Sequence, residues 1–428
     1  MSLFQKPLSG TDDLFAPNYQ QNIYRVLPTA LRCMGVKVAR DDLFDQPNVM
    51  KHLKQNQALS AERVIVCIID SLGSQNVVGT KLETFLNDID AVSLSSTFPT
   101  ITSAAIPSIN FGVPPTTHGI LGHIIYFSEY GTLVDTLRMS GYKVRYRDAI
   151  PYAGIDVRSL LWNEGIPEIP QNSHPSLVVA EGLPREIPGT GLGRFYVQMH
   201  NIFSFNGIID GFGMVRRVLD HFQNHPIFMT IYFPQIDNLT HKYGSNSHEY
   251  RAGCNDFHRH LQAFKESLPT SEAKHTTIVL CSDHGQNVLN DKKTIFLSQE
   301  QIEEVKGTLR VPPGHSGRVT HFYCQSTSKR RKLKQWLLAQ VEDRALIYDA
   351  KDIDNAQLLP VPSSKRILQR LGDLLLIARD GVKLVVEREE DSSETWGLLP
   401  NQGFLANHGS LTADELLTPF AAFNAAEH

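Results

Sequence analysis

Three short runs of apolar residues in this chain each end beside an acidic residue. The run RVIVCIID ends at Asp70, PIFMTIYFPQID ends at Asp237, and TTIVLCSDH ends at Asp283 and His284. Runs rich in valine, isoleucine and aromatic residues, without polar alternation, are typical of strands buried on both faces of a parallel sheet. One acid after a strand is usually a helix cap or a turn residue. Three of them predict an α/β fold with a polar site at the carboxyl edge of its sheet.

The composition is that of an ordinary globular protein, and its charge excludes one class of partner. The 428 residues suffice for one large domain with a subdomain, and 41% of them are apolar, which is enough for a sizeable core. Lys plus Arg is 41 and Asp plus Glu is 45, so the formal net charge is −4. We therefore expect no stable binding of nucleic acid. Nothing in the sequence indicates the oligomeric state.

The cysteines and the N-terminus indicate a cytoplasmic protein. The five cysteines form no CxxC pair, and two of them, Cys67 and Cys281, lie inside apolar runs. Such thiols are expected to be buried in a reducing compartment. The first residues lack a basic segment followed by an apolar one, and no uncharged apolar stretch approaches about 18 residues. We expect neither a signal peptide nor a membrane span.

The segment 305–395 has a different pattern from the rest of the chain. The strand-like run RVTHFYC is followed by a helical stretch at 328–343 and then by the strand-like runs RALIYDA and GDLLLIARDGVKLVV. This β-α-β-β order predicts a small α+β subdomain at 305–395. We expect it to be inserted beside the site of a catalytic core formed by residues 1–304 and 396–428.

The polar residues at two of the strand ends have the spacing of metal ligands. Asp237 and His241 are four residues apart, so on a helix both side chains face one point. Asp283 and His284 are adjacent, and Gly285 permits the sharp turn that would let both bind one ion. Each motif alone is commonly found at surface helices and turns, so only their combination predicts a metal centre.

Asp70 and His408, the latter in FLANHGS, bring the set to three carboxylates and three imidazoles. Two divalent ions with three protein ligands each would use all six and leave positions open for a substrate. Mixed nitrogen and oxygen ligation favours Zn²⁺, with Mn²⁺ and Fe²⁺ as weaker alternatives. A pair of ions about 3.5–4 Å apart would clamp the attacking and leaving oxygens of a displacement at phosphorus.

The stretch TFPTITSAA, residues 97–105, offers a hydroxyl nucleophile. A metal ion lowers the pKa of such a hydroxyl, and a helix N-terminus favours the resulting alkoxide and the bound phosphoryl group. The small residues at the end of the stretch would let a helix start close to the substrate. Thr100, Thr102 and Ser103 are the candidates, and the alternative interpretation of Thr102 is a plain helix cap.

The order of these segments resembles the alkaline phosphatase superfamily, and most closely its type I phosphodiesterase/nucleotide pyrophosphatase branch. The resemblance spans about residues 60–420 and lies in VIVCIIDSLG, STFPTITSAAIPSINFGVPPTTHGILGH, YFPQIDNLTHKYGSNS, VLCSDHGQ, GDLLLIARDG and NHGSLTADELLTPF. It implies an α/β fold with an alkaline-phosphatase-like, mostly parallel central sheet between helices.

The resemblance also implies roles for individual residues. Thr102 stands at the fifth place of the F-P-[ST]-x-T pattern, which is the place of the family's nucleophile. The ligands of one ion would be Asp237, His241 and His408. The ligands of the second ion, on which the nucleophile sits, would be Asp70, Asp283, His284 and Thr102.

The sequence departs from the nucleotide pyrophosphatases at two places. Five residues past the histidine of the H-G-[IV] segment the family has a phosphoryl-binding asparagine, whereas this chain has His123. Histidine can donate the same hydrogen bond and can also be charged, so we predict a substrate contact; the alternative is a packed or capping histidine. Ser103-Ala104-Ala105 replaces the family's P-N-H segment, which argues against nucleoside-type substrates.

The segment GHSGRVTHFYC adds two further predicted substrate contacts, His315 and Arg318. Arg318 lies in a Gly-x-x-Arg segment before a predicted strand and could bind a phosphate with two hydrogen bonds. The alternatives are an ion pair between structural elements for Arg318 and a bystander role for His315.

Together these features predict a two-metal phosphoric diester hydrolase of the phosphodiesterase/nucleotide pyrophosphatase type. It would act through a phospho-threonine intermediate on a small phosphate ester, with nucleotides among the candidates. The alternative activities are a phosphomonoesterase or phosphonate hydrolase on the same scaffold. A catalytically degenerate binding protein would be expected to have lost ligands, and all six are present.

Overall fold

The computed structural model describes residues 7–144, 146–162, 174–195, 201–386 and 403–427. The strands within these ranges are β1 (Arg63–Ile69), β2 (Val92–Ser95), β3 (Ile124–Phe127), β4 (Thr132–Asp135), β5 (Ser140–Gly141), β6 (Val178–Pro184), β7 (Ile202–Phe205), β8 (Ile227–Phe233), β9 (Thr276–Cys281), β10 (Asn287–Val288), β11 (Asn290–Leu297), β12 (Gly314–Ser316), β13 (Val319–Phe322), β14 (Ala345–Asp349), β15 (Leu374–Ala378), β16 (Val382–Val386), β17 (Ala406–Asn407) and β18 (Leu417–Asn424).

The α-helices of the same ranges are α1 (Val26–Cys33), α2 (Pro47–Gln55), α3 (Lys81–Asp88), α4 (Thr102–Phe111), α5 (Pro115–His118), α6 (Ala149–Tyr152), α7 (Gly207–His221), α8 (Gln235–Tyr243), α9 (His248–Ser267), α10 (Thr270–Ala273), α11 (Gln299–Val305), α12 (Thr327–Val341), α13 (Lys365–Leu371) and α14 (Ala413–Leu416). Short 3-10 helices lie at Ile23–Arg25, Val157–Leu160, Gly191–Phe195, Lys306–Thr308 and Ala350–Asp352.

A seven-stranded sheet forms the centre of the molecule, in the order β2-β18-β9-β1-β8-β6-β7. The five strands from β9 to β7 run parallel, and β18 lies antiparallel between β9 and β2. Every residue of β1 is buried, as expected for a strand covered on both faces. The predicted α/β fold with a mostly parallel central sheet is thereby confirmed.

Apolar layers cover both faces of this sheet. On one face, Ile65 and Ile231 pack in a core with side chains from α3, α7 and α9. On the other face, Val64 and Val66 share a core with side chains of α1 and α4 and of a second sheet. Burial of both faces leaves the carboxyl edge of the parallel strands as the place where polar loops can gather.

The second sheet is antiparallel, in the order β14-β15-β13-β12-β3-β4-β5. Four of its strands come from 314–378 and three from 124–141, and the two groups meet where His315 pairs with Ile124. The order β13, α12, β14 and β15 follows the pattern expected for the segment 305–395. That segment therefore shares its sheet with residues of the first part of the chain, and its delimitation as a subdomain stays a prediction.

Glu181 on β6 is an acid buried inside the central sheet. It is 2% exposed, and its strand neighbour in register is Thr230 on β8. Neither Glu181 Oε2 nor Thr230 Oγ1 has a hydrogen-bond partner. Burial raises the pKa of Glu181 from its ordinary 4.5 to about 8. Burial in the central sheet therefore favours the neutral form of this carboxyl group.

We expect Glu181→Gln to remove a pH dependence from the stability of the protein. An acid with a higher pKa in the folded state than in the unfolded state lowers the stability of the folded protein as pH rises. The loss begins at the pKa of the unfolded state and ends above the pKa of the folded state. The effect amounts to roughly 1.4 kcal/mol per pH unit. Denaturation by urea at a series of pH values should show that the free energy of unfolding of the variant rises relative to that of wild type between pH 4.5 and about 8. The difference should stay constant above pH 8. Glu186→Gln, at an exposed position, is the control, and a gain independent of pH would contradict the prediction.

Candidate active site

The three neighbouring parallel strands β8, β1 and β9 bring the predicted acids to one place. Asp70 directly follows β1, and Asp283 lies two residues past the end of β9. Asp237 lies in the first turn of α8, which begins just after β8. Because β1 pairs with both β8 and β9 in parallel, the three loops share one edge of the sheet.

Asp70, Asp283 and His284 form one cluster of potential ligand atoms. His284 Nε2 lies 3.1 Å from Asp283 Oδ2 and 3.8 Å from Asp70 Oδ1. Thr102 Oγ1 lies 3.1 Å from the same nitrogen. The backbone N–H of Ser71 donates to Asp283 Oδ1, so the carboxylate is held with its other oxygen toward the cluster.

Asp237, His241 and His408 form a second cluster. Asp237 Oδ1 lies 3.3 Å from His241 Nε2 and 3.7 Å from His408 Nε2. The two imidazole nitrogens are 3.2 Å apart. One helical turn of α8 places the first two residues side by side, whereas His408 arrives from the far end of the chain after β17.

The orientation of the imidazoles fits bound cations. His241 Nδ1 donates to the carbonyl of Ala406 at 2.9 Å, and His408 Nδ1 donates to the carbonyl of Thr100 at 2.8 Å. In the neutral rings their Nε2 atoms therefore face each other as lone pairs, which repel unless a proton or a metal ion lies between them. The ligand atoms of a tetrahedral zinc site, with bonds of about 2.0–2.1 Å, are separated by about 3.3 Å. The separations in both clusters lie around this value.

The carboxylates of the first cluster also fit bound cations. Burial raises the pKa of Asp70 well above its usual range, and the nearby charges of Asp283 and Asp237 add to the shift. Burial likewise raises the pKa of Asp283. Asp70 Oδ1 and Asp283 Oδ2 are buried without a hydrogen-bond partner. Divalent ions would satisfy these oxygens and offset the like charges, so the six residues fit a metal centre of mixed nitrogen and oxygen ligands.

Two polar residues that the sequence analysis did not identify hold the carboxylates in place. Gln286, fully buried, donates from Nε2 to Asp237 Oδ1 at 2.7 Å, and the Tyr232 hydroxyl donates to Asp70 Oδ2. Tyr232 lies inside the run that leads to Asp237, and Gln286 follows His284 by two residues, but neither a phenol nor an amide has a recognisable ligand spacing. Gln286 also links the clusters, because it follows Asp283 by three residues while binding Asp237.

Thr102, the first residue of α4, is the hydroxyl that reaches the cluster of Asp70, Asp283 and His284. Thr100 Oγ1 is engaged elsewhere, because it donates to the Ser410 carbonyl and accepts from Gly409 N–H. Ser103 Oγ is buried. Of the three candidate hydroxyls, only that of Thr102 combines partial exposure with contact to His284. The N-terminus of the ten-residue helix α4 adds its positive dipole there.

His123 and His315 lie together at the junction of β3 and β12. Their ring centroids are 6.5 Å apart, and His123 Nε2 lies 3.2 Å from Asp135 Oδ1. The backbone N–H of His123 donates to Ser316 Oγ at 3.0 Å. Their substrate contacts stay a prediction.

The structure places Arg318 differently from the predicted phosphate contact. The residue is 0% exposed, and its Nη1 lies 2.6 Å from Glu415 Oε2. The remaining guanidinium nitrogens donate to the carbonyls of Val382 and Arg379. A guanidinium buried with these partners makes the ion pair between elements that was the alternative interpretation. Its backbone N–H donates to the carbonyl of His408 at 2.9 Å, so Arg318 helps to hold a candidate ligand.

Comparison with protein families identifies the chain. Residues 65–411 match the family model of type I phosphodiesterase / nucleotide pyrophosphatase. The chain belongs to this family. It is therefore a phosphodiesterase/pyrophosphatase-type hydrolase, and the predicted family membership is confirmed. The candidate ligands of the two clusters and the candidate nucleophile Thr102 all fall inside the matched range.

Solved structures of the same fold are similar over most of the chain. The murine ectonucleotide pyrophosphatase/phosphodiesterase 5 matches with a TM-score of 0.61 at 14% identity, and the human protein with 0.60 at 15%. An inactive threonine-to-alanine variant of the murine protein in complex with AMP matches with 0.59 at 13%. Each match covers 84% of this chain and 87% of the other. Comparison with curated protein sequences gives no significant match. No helix in the described ranges is long and apolar enough to cross a membrane.

Proposed function

We propose that this family member hydrolyses small phosphoric diesters with two divalent metal ions and a phospho-threonine intermediate. The observation that carries the proposal is the meeting of six potential ligands in two clusters, with Thr102 Oγ1 3.1 Å from His284 Nε2. Asp70, Asp283 and His284 would hold one ion; Asp237, His241 and His408 would hold the other. Zinc suits this donor set best, with Mn²⁺ and Fe²⁺ as alternatives.

The two clusters are close enough to act on one phosphoryl group. The rings of His284 and His408, one from each cluster, stack with centroids 3.8 Å apart. When bound, two ions would supply positive charge for the phosphoryl oxygens and lower the pKa of the threonine hydroxyl. This neighbourhood suits a reaction in which one oxygen attacks phosphorus while another leaves.

The protein residues would carry the reaction in two displacements. The Thr102 oxygen attacks phosphorus and loses its proton, and the bond from phosphorus to the leaving oxygen breaks as the alcohol departs with a proton. Water then attacks the phospho-threonine, which returns Thr102 and releases the phosphate monoester. The N-terminus of α4, where Thr102 is the first residue, would stabilise the negative charge in both steps through the helix dipole.

A small phosphate ester, with nucleotides among the candidates, is the proposed substrate class. The murine ectonucleotide pyrophosphatase/phosphodiesterase 5 variant was solved in complex with AMP, a nucleotide, which supports a nucleotide ligand for that relative. A cytoplasmic location is also proposed, and the unpaired, buried state of all five cysteines supports it.

The proposal predicts bound metal and a preference for diesters. Elemental analysis of the purified protein should find about two divalent ions per chain, and bis(p-nitrophenyl) phosphate should be hydrolysed faster than p-nitrophenyl phosphate. His241→Ala should lose metal and activity together, while His248→Ala, an exposed histidine on α9, is the matched control. Metal-free wild-type protein with full activity would refute the metal centre. Faster hydrolysis of the monoester would favour the phosphomonoesterase alternative.

A further inference from the structure

We propose that a second copy of this chain docks on the face formed by β7 and α7, which gives a two-fold symmetric dimer. This face lies at the end of the central sheet, where β6 separates β7 from β8. It contains none of the candidate metal ligands and does not include Thr102. The inference therefore goes beyond the proposed function and does not depend on it.

The strand β7 is the edge of the central sheet and has an open groove beside it. Among the described strands only β6 pairs with β7. Phe203 and Ser204 of β7, together with one face of α7, line a groove of about 670 Å³. An edge strand beside an apolar groove is a surface on which another chain can dock.

The helix α7 has one face in the core and another along this groove. Phe212, Val215 and Leu219 are buried against the sheet. Ile209, at the start of the groove, is 67% exposed although it is apolar. The exposed residues on the groove side recur every three or four positions, at Ile209, Asp210, Gly213 and Arg217.

Gly213, in the middle of α7, has no packing reason within the described chain. Glycine inside a helix is less favourable than alanine, so a close contact usually accounts for it. Gly211 has such a contact, because a Cβ there would lie 2.8 Å from the Phe233 ring, and on Gly253 of α9 it would lie 2.5 Å from Leu239. A Cβ on Gly213 would meet no described atom within 4 Å. The missing side chain leaves space for a second helix to approach closely.

The charges of α7 are self-complementary about Gly213. Asp210 lies three residues before it and Arg217 four residues after it. When two copies of α7 cross antiparallel at Gly213, Asp210 therefore faces Arg217 of the partner subunit, and the same pair occurs a second time. Asp210 Oδ2 accepts from the backbone N–H of Asn206, and Arg217 makes no ion pair with a described residue.

The same two-fold axis matches the apolar residues and the strand edges. It places the exposed Ile209 beside Val218 of the partner subunit, and Val218 lines the groove. Because the axis is perpendicular to the sheet, the two β7 edges also face each other in antiparallel orientation. Matching pairs on both sides of one glycine are the pattern that a two-fold axis requires, so a second copy fits this face better than an unrelated protein does.

Gly213→Gln tests the contact at the centre of the face. Sedimentation velocity should show a concentration-dependent dimer of the wild type, because interfaces of standard size have dissociation constants in the micromolar range or below. The added side chain fills the space that the second helix needs, so we expect this constant to rise at least about 100-fold. At a concentration where wild type is monomeric, the variant should melt no lower than wild type, because glutamine is the better helix former.

Charge reversal tests the two-fold arrangement itself. Asp210→Arg and Arg217→Asp should each raise the dissociation constant at least about tenfold, because like charges then face each other. An equimolar mixture of the two variants should form dimers at concentrations where neither variant does so alone, since both pairs then join opposite charges. A pair within one chain could not give this result.

A control and three outcomes decide the inference. Ala252→Gln, which adds the same side chain at an exposed position of α9, should leave the dimer unchanged. A wild-type monomer at about 100 μM would overturn the proposal, as would a mixture that forms no dimers. A dimer that Gly213→Gln leaves intact would place the interface elsewhere and overturn it as well.

Discussion

Thr102→Ala is expected to reduce the hydrolysis of bis(p-nitrophenyl) phosphate by at least about 1,000-fold. The substitution removes the oxygen that lies beside His284 at the start of α4. Thr100 cannot replace it, because its hydroxyl is bonded to Ser410 and Gly409. Steady-state rates measure the loss. Mass spectrometry after an acid quench should find a phosphorylated wild-type protein and an unmodified variant.

The neighbouring hydroxyl provides the matched control for this experiment. Ser103→Ala removes an oxygen that is buried and has no hydrogen-bond partner, so we expect activity close to that of wild type. Thr102→Ala should retain bound metal, because the three other candidate ligands of its cluster remain. Wild-type turnover in Thr102→Ala would contradict the assignment of the nucleophile. So would a loss of turnover in Ser103→Ala but not in Thr102→Ala.

Removal of metal should abolish activity and destabilise the fold. Without cations the buried carboxylates of Asp70 and Asp283 face each other with unpartnered oxygens. A ligand present at about 1,000 times its dissociation constant stabilises the folded state by about 4 kcal/mol. Incubation with a chelator, followed by its removal, should therefore lower the melting temperature by several degrees and reduce hydrolysis to background.

Readdition of single metals completes the experiment. Zinc should restore both the melting temperature and the activity, whereas magnesium, which prefers all-oxygen coordination, should restore neither fully. Protein taken through the same steps without chelator is the control. If chelated protein, shown by elemental analysis to be metal-free, melted at the temperature of untreated protein and kept its activity, the two clusters would not be a metal centre.

Several parts of the site could be predicted from short stretches of sequence, because hydrophobic pattern and residue spacing determine them. An unbroken apolar run specifies a buried strand, and a residue after its end lies at the sheet edge, as Asp70 and Asp283 do. The helical repeat alone places Asp237 next to His241. Residue type restricts the donors to carboxylate and imidazole. None of these inferences needs knowledge of contacts between distant segments.

Other parts could not be read because long-range contacts decide them. Arg318 appeared suited to phosphate, and only the fold shows that Glu415, far along the chain, pairs with it. Gln286, in the loop after β9, donates a hydrogen bond to Asp237, in the first turn of α8. The second sheet joins 124–141 to 314–378, so the segment 305–395 shares a sheet with earlier residues.

The sequence by itself determined the type of sheet, the kinds of ligand and the short list of hydroxyls, because hydrophobic period and residue chemistry are local properties. Only the tertiary structure decided how the residues meet. The order β8-β1-β9 and the return of the chain at His408 sort six side chains into two clusters. Hydrogen bonds that occupy Thr100 leave Thr102 facing His284. These choices depend on distances between segments that are far apart in the chain, and such distances are fixed only when the sheet forms.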